Sequence, residues 1–324
     1  MGIRTYYAQP FRIPTGSMQP SLNGIIVHPI DEVPGAPRRW WDALTLGSSY
    51  IDETAPQAMQ LTGIRDEAYW PLLTDMGLVK SGGLFTRTVL TFLGHEDGSR
   101  ISIAIPAASG TVMEYLRKQG KLGVATDTAG RSIGPSYGFW EKGETVMRGR
   151  ADAGDMVIVN RMAYHFRRPE RGETFVFDTR GIRTKAANPH LQDQGDGTHY
   201  IKRLCGLPGD TLEVQQPNLL VNGSPAAEAT IARVAAGEAP FNKEGYEALP
   251  AATMHLGKPA YLTAGTARTL KSGGDTNLRE YVALGDNTTN SLDSRYWGPV
   301  HQFNIIGPAS FTLWPFTAHW GGIE

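Results

Sequence analysis

The chain has 324 residues, 40% hydrophobic and 19% charged, enough for a sizeable core in one large domain or two ordinary ones. Its 31 basic and 32 acidic residues leave a net charge of −1, which argues against a dedicated nucleic-acid binder. One cysteine, Cys205, excludes an intrachain disulfide and any Cys-based zinc site.

Residues 3–27 read as short and extended, with apolar side chains at Phe11, Ile13, Met18 and Leu22. Residues 28–150 are mixed. They hold an aromatic pair, Trp40-Trp41, and a helix-like stretch over Ala68–Val79. A hairpin-like pair follows, Thr86–Leu93 and Arg100–Pro106 around a Gly-rich turn, then a second helical stretch over Thr111–Gln119. Residues 151–324 read mainly as strands. Gly-acid turns lead into Met156–Asn160, Thr174–Asp178 and Thr211–Val214. Asn222-Gly223 is a strong hairpin signal. Residues 224–278 read as long connections or a small cap, and Glu280–Leu284 as a strand closed by Gly285-Asp286-Asn287. The expected class is mainly β with a small α+β insertion. The longest aliphatic runs fall far short of the ~20 residues a membrane helix needs, and no apolar signal-peptide core opens the chain.

The eight histidines form no paired metal motif, and the glycines form no phosphate-binding or dinucleotide fingerprint. No metal and no cofactor is expected. Two segments offer other chemistry. In Ile13-Pro14-Thr15-Gly16-Ser17-Met18-Gln19-Pro20-Ser21-Leu22 a serine follows a flexible Gly between two stiffening prolines. It reads either as an ordinary turn or as a presented hydroxyl. In Tyr200-Ile201-Lys202-Arg203-Leu204-Cys205-Gly206-Leu207-Pro208-Gly209-Asp210 a lysine lies in an apolar strand. It reads either as an exposed edge lysine or as a desolvated one able to take a proton near neutral pH. A serine hydroxyl needs a base, and lysine serves in one variant of the serine–histidine arrangement. Spacing alone does not bring Ser17 and Lys202 together.

These two segments, with Gly154–Arg161 and Gly285–Val300 and in this order, resemble four blocks of bacterial type I signal peptidase. That family comprises membrane-anchored Ser-Lys proteases that trim exported preproteins. The resemblance covers residues 9–27 and 151–315 and implies a signal-peptidase-type β-rich catalytic domain from 1–27 and 151–324, with 28–150 as an inserted module. Carried over by position, Ser17 is the nucleophile and Lys202 the general base. Ser291 orients the lysine, while Asp293, Arg295 and Arg203 form a supporting charged network. The Ser17 N–H and the Thr15 hydroxyl hold the oxyanion. Cleavage is implied after Ala-x-Ala-like sites, with Phe11, Ile13, Pro14, Met18, Leu22, Tyr200 and Ile201 binding substrate. Ile13, Met18, Leu22, Tyr200 and Ile201 are expected to line the first pocket.

The implied partners are exported preproteins and the surface of the cytoplasmic membrane, with no nucleic acid. The implied location is the outer, periplasmic or extracellular, face of that membrane. The family's membrane-spanning segment is not seen before the nucleophile block, which suggests a trimmed chain. Two further departures stand out. Thr288-Thr289 replaces the usual Arg-Asp pair, and Asn160-Arg161 lies where a lysine is common. The competing readings are an inactive signal-sequence binder and a self-cleaving Ser-Lys repressor-type protease.

Overall fold

The computed structural model describes residues 7–69, 85–126, 132–182 and 199–323. Its largest sheet is eight-stranded and antiparallel. Successive neighbours are Ala8–Arg12, Met156–Asn160, Ile305–Trp314, Thr174–Asp178, His199–Gly206, Glu280–Leu284 and Val300–His301. Gly321–Gly322 adds a short eighth strand against Ile305–Trp314. Met156–Asn160 alternates buried and half-buried positions, as a β-branched strand with one core face should. The central strands Thr174–Asp178 and Glu280–Leu284 are buried almost throughout. Their apolar runs are continuous for that reason. The first strand pairs with Met156–Asn160, so the chain before the long excursion meets the chain after it.

The excursion builds a second core. The expected hairpin forms between Phe85–Gly94 and Arg100–Ile105 and extends through Met59–Tyr69 to Phe139–Trp140. A separate sheet places Thr145–Asp152 between Ile26–His28 and Ser49–Thr54. The core between them centres on Trp140, Phe92, Met59 and Leu116 and runs from Ile25 to Ala151. The second helical stretch is observed as Ser109–Lys118 and buries Val112, Met113 and Leu116, positions three and four apart on one face. The first is corrected in part. Ala68 and Tyr69 end the long strand Met59–Tyr69, because pairing with Phe85–Gly94 overrides local helix preference. The remainder, with Trp70, lies outside the described residues. Trp40 and Trp41 sit on a helix, Ala36–Thr45, that carries Pro37 in its first turn and packs little of its surface.

A third sheet, of Ser224–Pro225, Asn218–Val221, Thr211–Gln215 and Arg268–Thr269, contains the expected Asn-Gly hairpin. Asn222 and Gly223 both take positive φ, 53° and 83°, as a two-residue turn of this hand requires. Residues 224–278 are more structured than expected. They include a helix, Ala229–Ala236, that buries Ile231 and Val234 over Asn218–Val221 and stops at Gly237 in the left-handed region.

Candidate active site

The Ile13–Asn23 turn lies between the first strand and the start of the excursion, and at its centre Gly16–Met18 forms a single 3₁₀ turn. Ser17 is the middle residue, so its N–H falls in a first helical turn, where such groups lack an intrahelical acceptor. Ser17 is 7% exposed. Lys202 comes from His199–Gly206, a strand with nearly all its residues partly or fully buried, and is 4% exposed. The lysine Nζ donates a short hydrogen bond to Ser17 Oγ across 185 positions of sequence. Burial lowers the Lys202 pKa to about 8, against the opposing pull of Asp293 and Asp286. A buried amine near neutrality beside a serine hydroxyl can accept that hydroxyl's proton.

The turn is tied to the Gly285–Asn287 segment. Asn287 N–H donates to the Ser17 carbonyl at 3.1 Å, and its side-chain amide to the Gly16 carbonyl at 3.0 Å. Gly285 makes that approach possible. A Cβ there would stand 2.5 Å from the Ser17 carbonyl oxygen and 2.2 Å from Ser291 Oγ. Ser291 is thus beside the pair, and its buried hydroxyl faces Asp293, whose carboxyl it helps hold low. The hydrogen bond from Lys202 goes to Ser17, and none joins Lys202 to Ser291.

The charged residues form two separate buried pairs rather than one network. Arg295 binds Asp293 through two nitrogens at 2.9 Å each and caps the Thr288 carbonyl at 2.6 Å. Burial acts to raise the Asp293 carboxyl, yet Arg295 and the Gly285 N–H hold it below its ordinary value. Arg203 instead binds Asp286 at 2.8 and 2.6 Å, and also the Gly172 carbonyl. Sequence reasoning placed Arg203 with Asp293 and Arg295 and took Asp286 for a turn residue. The apolar run Tyr281–Leu284 shortly before Asp286 was the one available signal that its charge would be buried and need a partner.

The residues expected to bind substrate divide between two faces. Ile13, Met18 and Leu22 are fully buried with Val157, Val159 and Val176, and Phe11 and Ile201 pack on that cluster. Tyr200 belongs to the opposite cluster, with Phe175 and Phe177, and its ring lies 5.7 Å from Trp297. Adjacent strand residues point to opposite faces, so Tyr200 and Ile201 do not share the expected pocket. Pro14 is half-buried and Thr15 is exposed at the rim of the turn. Beyond Arg203 the lysine strand pairs with Glu280–Leu284, but over His199–Lys202 that edge has no strand partner among the described residues. The outer edge of Ala8–Arg12 is likewise unpaired among them, and the Phe11 and His199 rings meet at 5.1 Å. No cluster of three or more metal-ligating side chains occurs among the described residues.

The family described as "Signal peptidase, peptidase S26" matches residues 143–314. Signal peptidase I of Leptolyngbya laminosa is 31% identical over 216 residues, covering 65% of this chain and 83% of that protein. Probable signal peptidase I-2 of Synechocystis is 34% identical over 161 residues, covering 50% of this chain and 56% of the relative. The crystal structure of a signal peptidase I from Enterococcus faecalis V583 is 27% identical with a TM-score of 0.29, covering 44% of this chain and 97% of that one. The matched family segment contains Lys202, Ser291 and Asp293 but not Ser17, which the fold returns to the lysine from the far side of the excursion. With more than half its length matched, the chain belongs to the signal peptidase, peptidase S26, family: it is a serine peptidase whose substrates carry signal peptides.

Proposed function

We propose that the chain cleaves preproteins with Ser17 as nucleophile and Lys202 as general base. The observation that carries this reading is the hydrogen bond between a buried, partly neutralised lysine and a serine brought from 185 positions away. Lys202 takes the Ser17 proton as Oγ attacks the scissile carbonyl. It then returns that proton to the leaving amine, and later activates the water that hydrolyses the ester. The Ser17 N–H and the Thr15 hydroxyl hold the oxyanion. Substrate lies extended between the unpaired edges of Ala8–Arg12 and His199–Lys202, taking backbone hydrogen bonds as an added strand. Such a strand meets half-buried Phe11, Pro14 and Ile201 on its way to Ser17, a shallow apolar wall that suits small residues before the cleaved bond, as in Ala-x-Ala.

The excursion between Gly24 and Gly154 is a module of its own, set at the root of the catalytic turn. It contributes to a membrane-facing surface. Trp40 and Trp41 are 78% and 64% exposed, beside exposed Arg38 and Arg39. The helix that bears them is tied to the C-terminal tail: Trp314 Nε1 donates to the Leu44 carbonyl and Phe316 N–H to the Thr45 carbonyl, each at 3.2 Å. Phe316 and Trp320 extend the apolar patch, 61% and 53% exposed. Aromatic rings with flanking arginines suit the headgroup layer of an anionic bilayer.

Ser17→Ala and Lys202→Ala are each expected to reduce cleavage of an Ala-x-Ala preprotein by at least a thousandfold, with circular dichroism unchanged. Turnover within tenfold of the parent in either variant would remove the dyad.

A further inference from the structure

The turn that presents Ser17 is held at both ends by one residue outside it. The Asp155 carbonyl accepts the Ile13 N–H at 2.9 Å, and the Asp155 N–H donates to the Asn23 carbonyl at 2.8 Å. Its carboxylate Oδ2 accepts the Asn23 N–H at 2.7 Å. Asp155 is fully buried, and Oδ1 has no hydrogen-bond partner among the described residues. A buried carboxylate is costly unless a cation stands by it. The only such group within ion-pair distance among the described residues is His319, whose Nδ1 donates to Oδ2 at 2.8 Å. The hydrogen bond to Asp155 raises the His319 pKa against the effect of burial, favouring the imidazolium.

His319 lies on the tail, past the segment that matches the family. That tail is anchored. Gly321–Gly322 pairs with Phe311 and Thr312, and the rings of Phe311 and Trp320 meet at 5.7 Å. The His319 N–H donates to Thr317 Oγ1 at 3.3 Å. An imidazole fixed in this way can complete the brace behind the nucleophile.

We propose that His319 is a positioning residue for the cleavage reaction: paired with Asp155, it fixes the Ile13–Asn23 turn so that Ser17 Oγ stays on Lys202. The proposal rests on the Ser17–Lys202 reading. A tail that merely packs against the domain would serve the fold alone, and the two roles separate experimentally. His319→Ala and His319→Gln, the latter keeping an N–H donor, are compared with the parent on a soluble peptide substrate. Amide hydrogen exchange over residues 13–23 is followed in the same proteins.

The Ala variant is expected to lose at least tenfold in kcat with KM within twofold, while exchange over 13–23 speeds up at least tenfold. Gln is expected to recover at least half of both effects on a logarithmic scale. In an Asp155→Asn background, where no buried charge needs a partner, His319→Ala is expected to cost less than twofold. The proposal is overturned if exchange over 13–23 is unchanged in the Ala variant. It is equally overturned if Gln is as impaired as Ala, or if the loss persists in full beside Asp155→Asn. The exchange measurement judges the brace even if Ser17→Ala retains activity and the dyad itself fails.

Discussion

Lys202 sets the pH behaviour at the scale of single residues. Its pKa near 8 is lowered chiefly by burial, and only the neutral amine can take the Ser17 proton. The expected profile of kcat/KM therefore rises about tenfold per pH unit below 8 and levels above it. A profile controlled near pH 6.5 would point to a histidine instead. Stability carries the opposite face of the same shift. The folded lysine loses its proton about two and a half units before the unfolded one, a bias of about 3 kcal/mol against the charged native form. That penalty is full below pH 8 and is relieved as pH climbs to 10.5, because the unfolded chain holds more protons in that window. Lys202→Met should thus be inactive yet more stable at pH 7 by up to about 3 kcal/mol, with the gain gone by pH 10.5. Urea unfolding at the two pH values checks it. Thr15 is a simpler case. It is exposed, and no side-chain cap bond ties it to the turn it precedes. As an oxyanion donor its loss in Thr15→Val should lower kcat on the order of a hundredfold while KM stays within threefold. An unchanged kcat would leave Thr15 as a turn residue only.

At the scale of elements, two strands and one turn define the site, and buried ion pairs hold them. Arg203 follows Lys202 directly and binds Asp286, which follows Gly285 at the contact with the Ser17 turn. Removing one partner strands the other charge inside the protein. Asp286→Ala should therefore cost about 3–5 kcal/mol in urea unfolding, whereas replacing both partners with apolar residues should cost much less. Equal costs for the single and double changes would show that the pair is not what matters. The strands of this region were legible in the sequence because their signals are local: Gly-acid turns ahead of β-branched runs at Met156–Asn160 and Thr174–Asp178, and Asn222-Gly223 for the hairpin. The pairing of Ser17 with Lys202 was not legible from spacing, since it depends on the first strand crossing to Met156–Asn160 over the excursion. It entered only through resemblance. The partner of Arg203 and the brace at Asp155 escaped for the same reason: each is a contact between elements distant in sequence. The opposite faces of Tyr200 and Ile201 follow from strand alternation alone and were legible in principle. Ala229–Ala236 escaped because an Ala-rich, eight-residue helix shows little periodicity of its own and gains its stability from packing on Asn218–Val221.

The excursion's core meets the catalytic sheet at a neck and again where the Ala36–Thr45 helix touches Trp314 and Phe316 of the tail. Asn23 and Asp155 hydrogen-bond to each other at the point where the chain leaves the catalytic sheet and returns to it. A Cβ on Gly154 would lie 3.2 Å from the Gly24 carbonyl carbon, so the two ends of the excursion are already in contact. The strand Thr145–Asp152 and its neighbour Ile26–His28 belong to the excursion's sheet, which moves a clean cut outward from 28–150 to 26–152. Replacing 26–152 by a short Gly-Ser link should leave the catalytic sheet and the Asn23–Asp155 contact intact. It removes the Trp40-Trp41 helix while keeping the tail aromatics Phe316 and Trp320. Cleavage of a soluble Ala-x-Ala peptide is then expected within threefold of the parent. Sedimentation with vesicles containing anionic lipid should fall at least fivefold, and cleavage of a preprotein embedded in those vesicles should fall with it. The paired substitution Trp40→Ser with Trp41→Ser should reproduce the vesicle result with the excursion in place, which separates the aromatic helix from any other role of the module. Unchanged vesicle binding in both proteins would detach the excursion from the membrane. Loss of peptide cleavage in the shortened chain alone would make it part of the catalytic fold, because the turn that carries Ser17 ends at the neck, at Asn23.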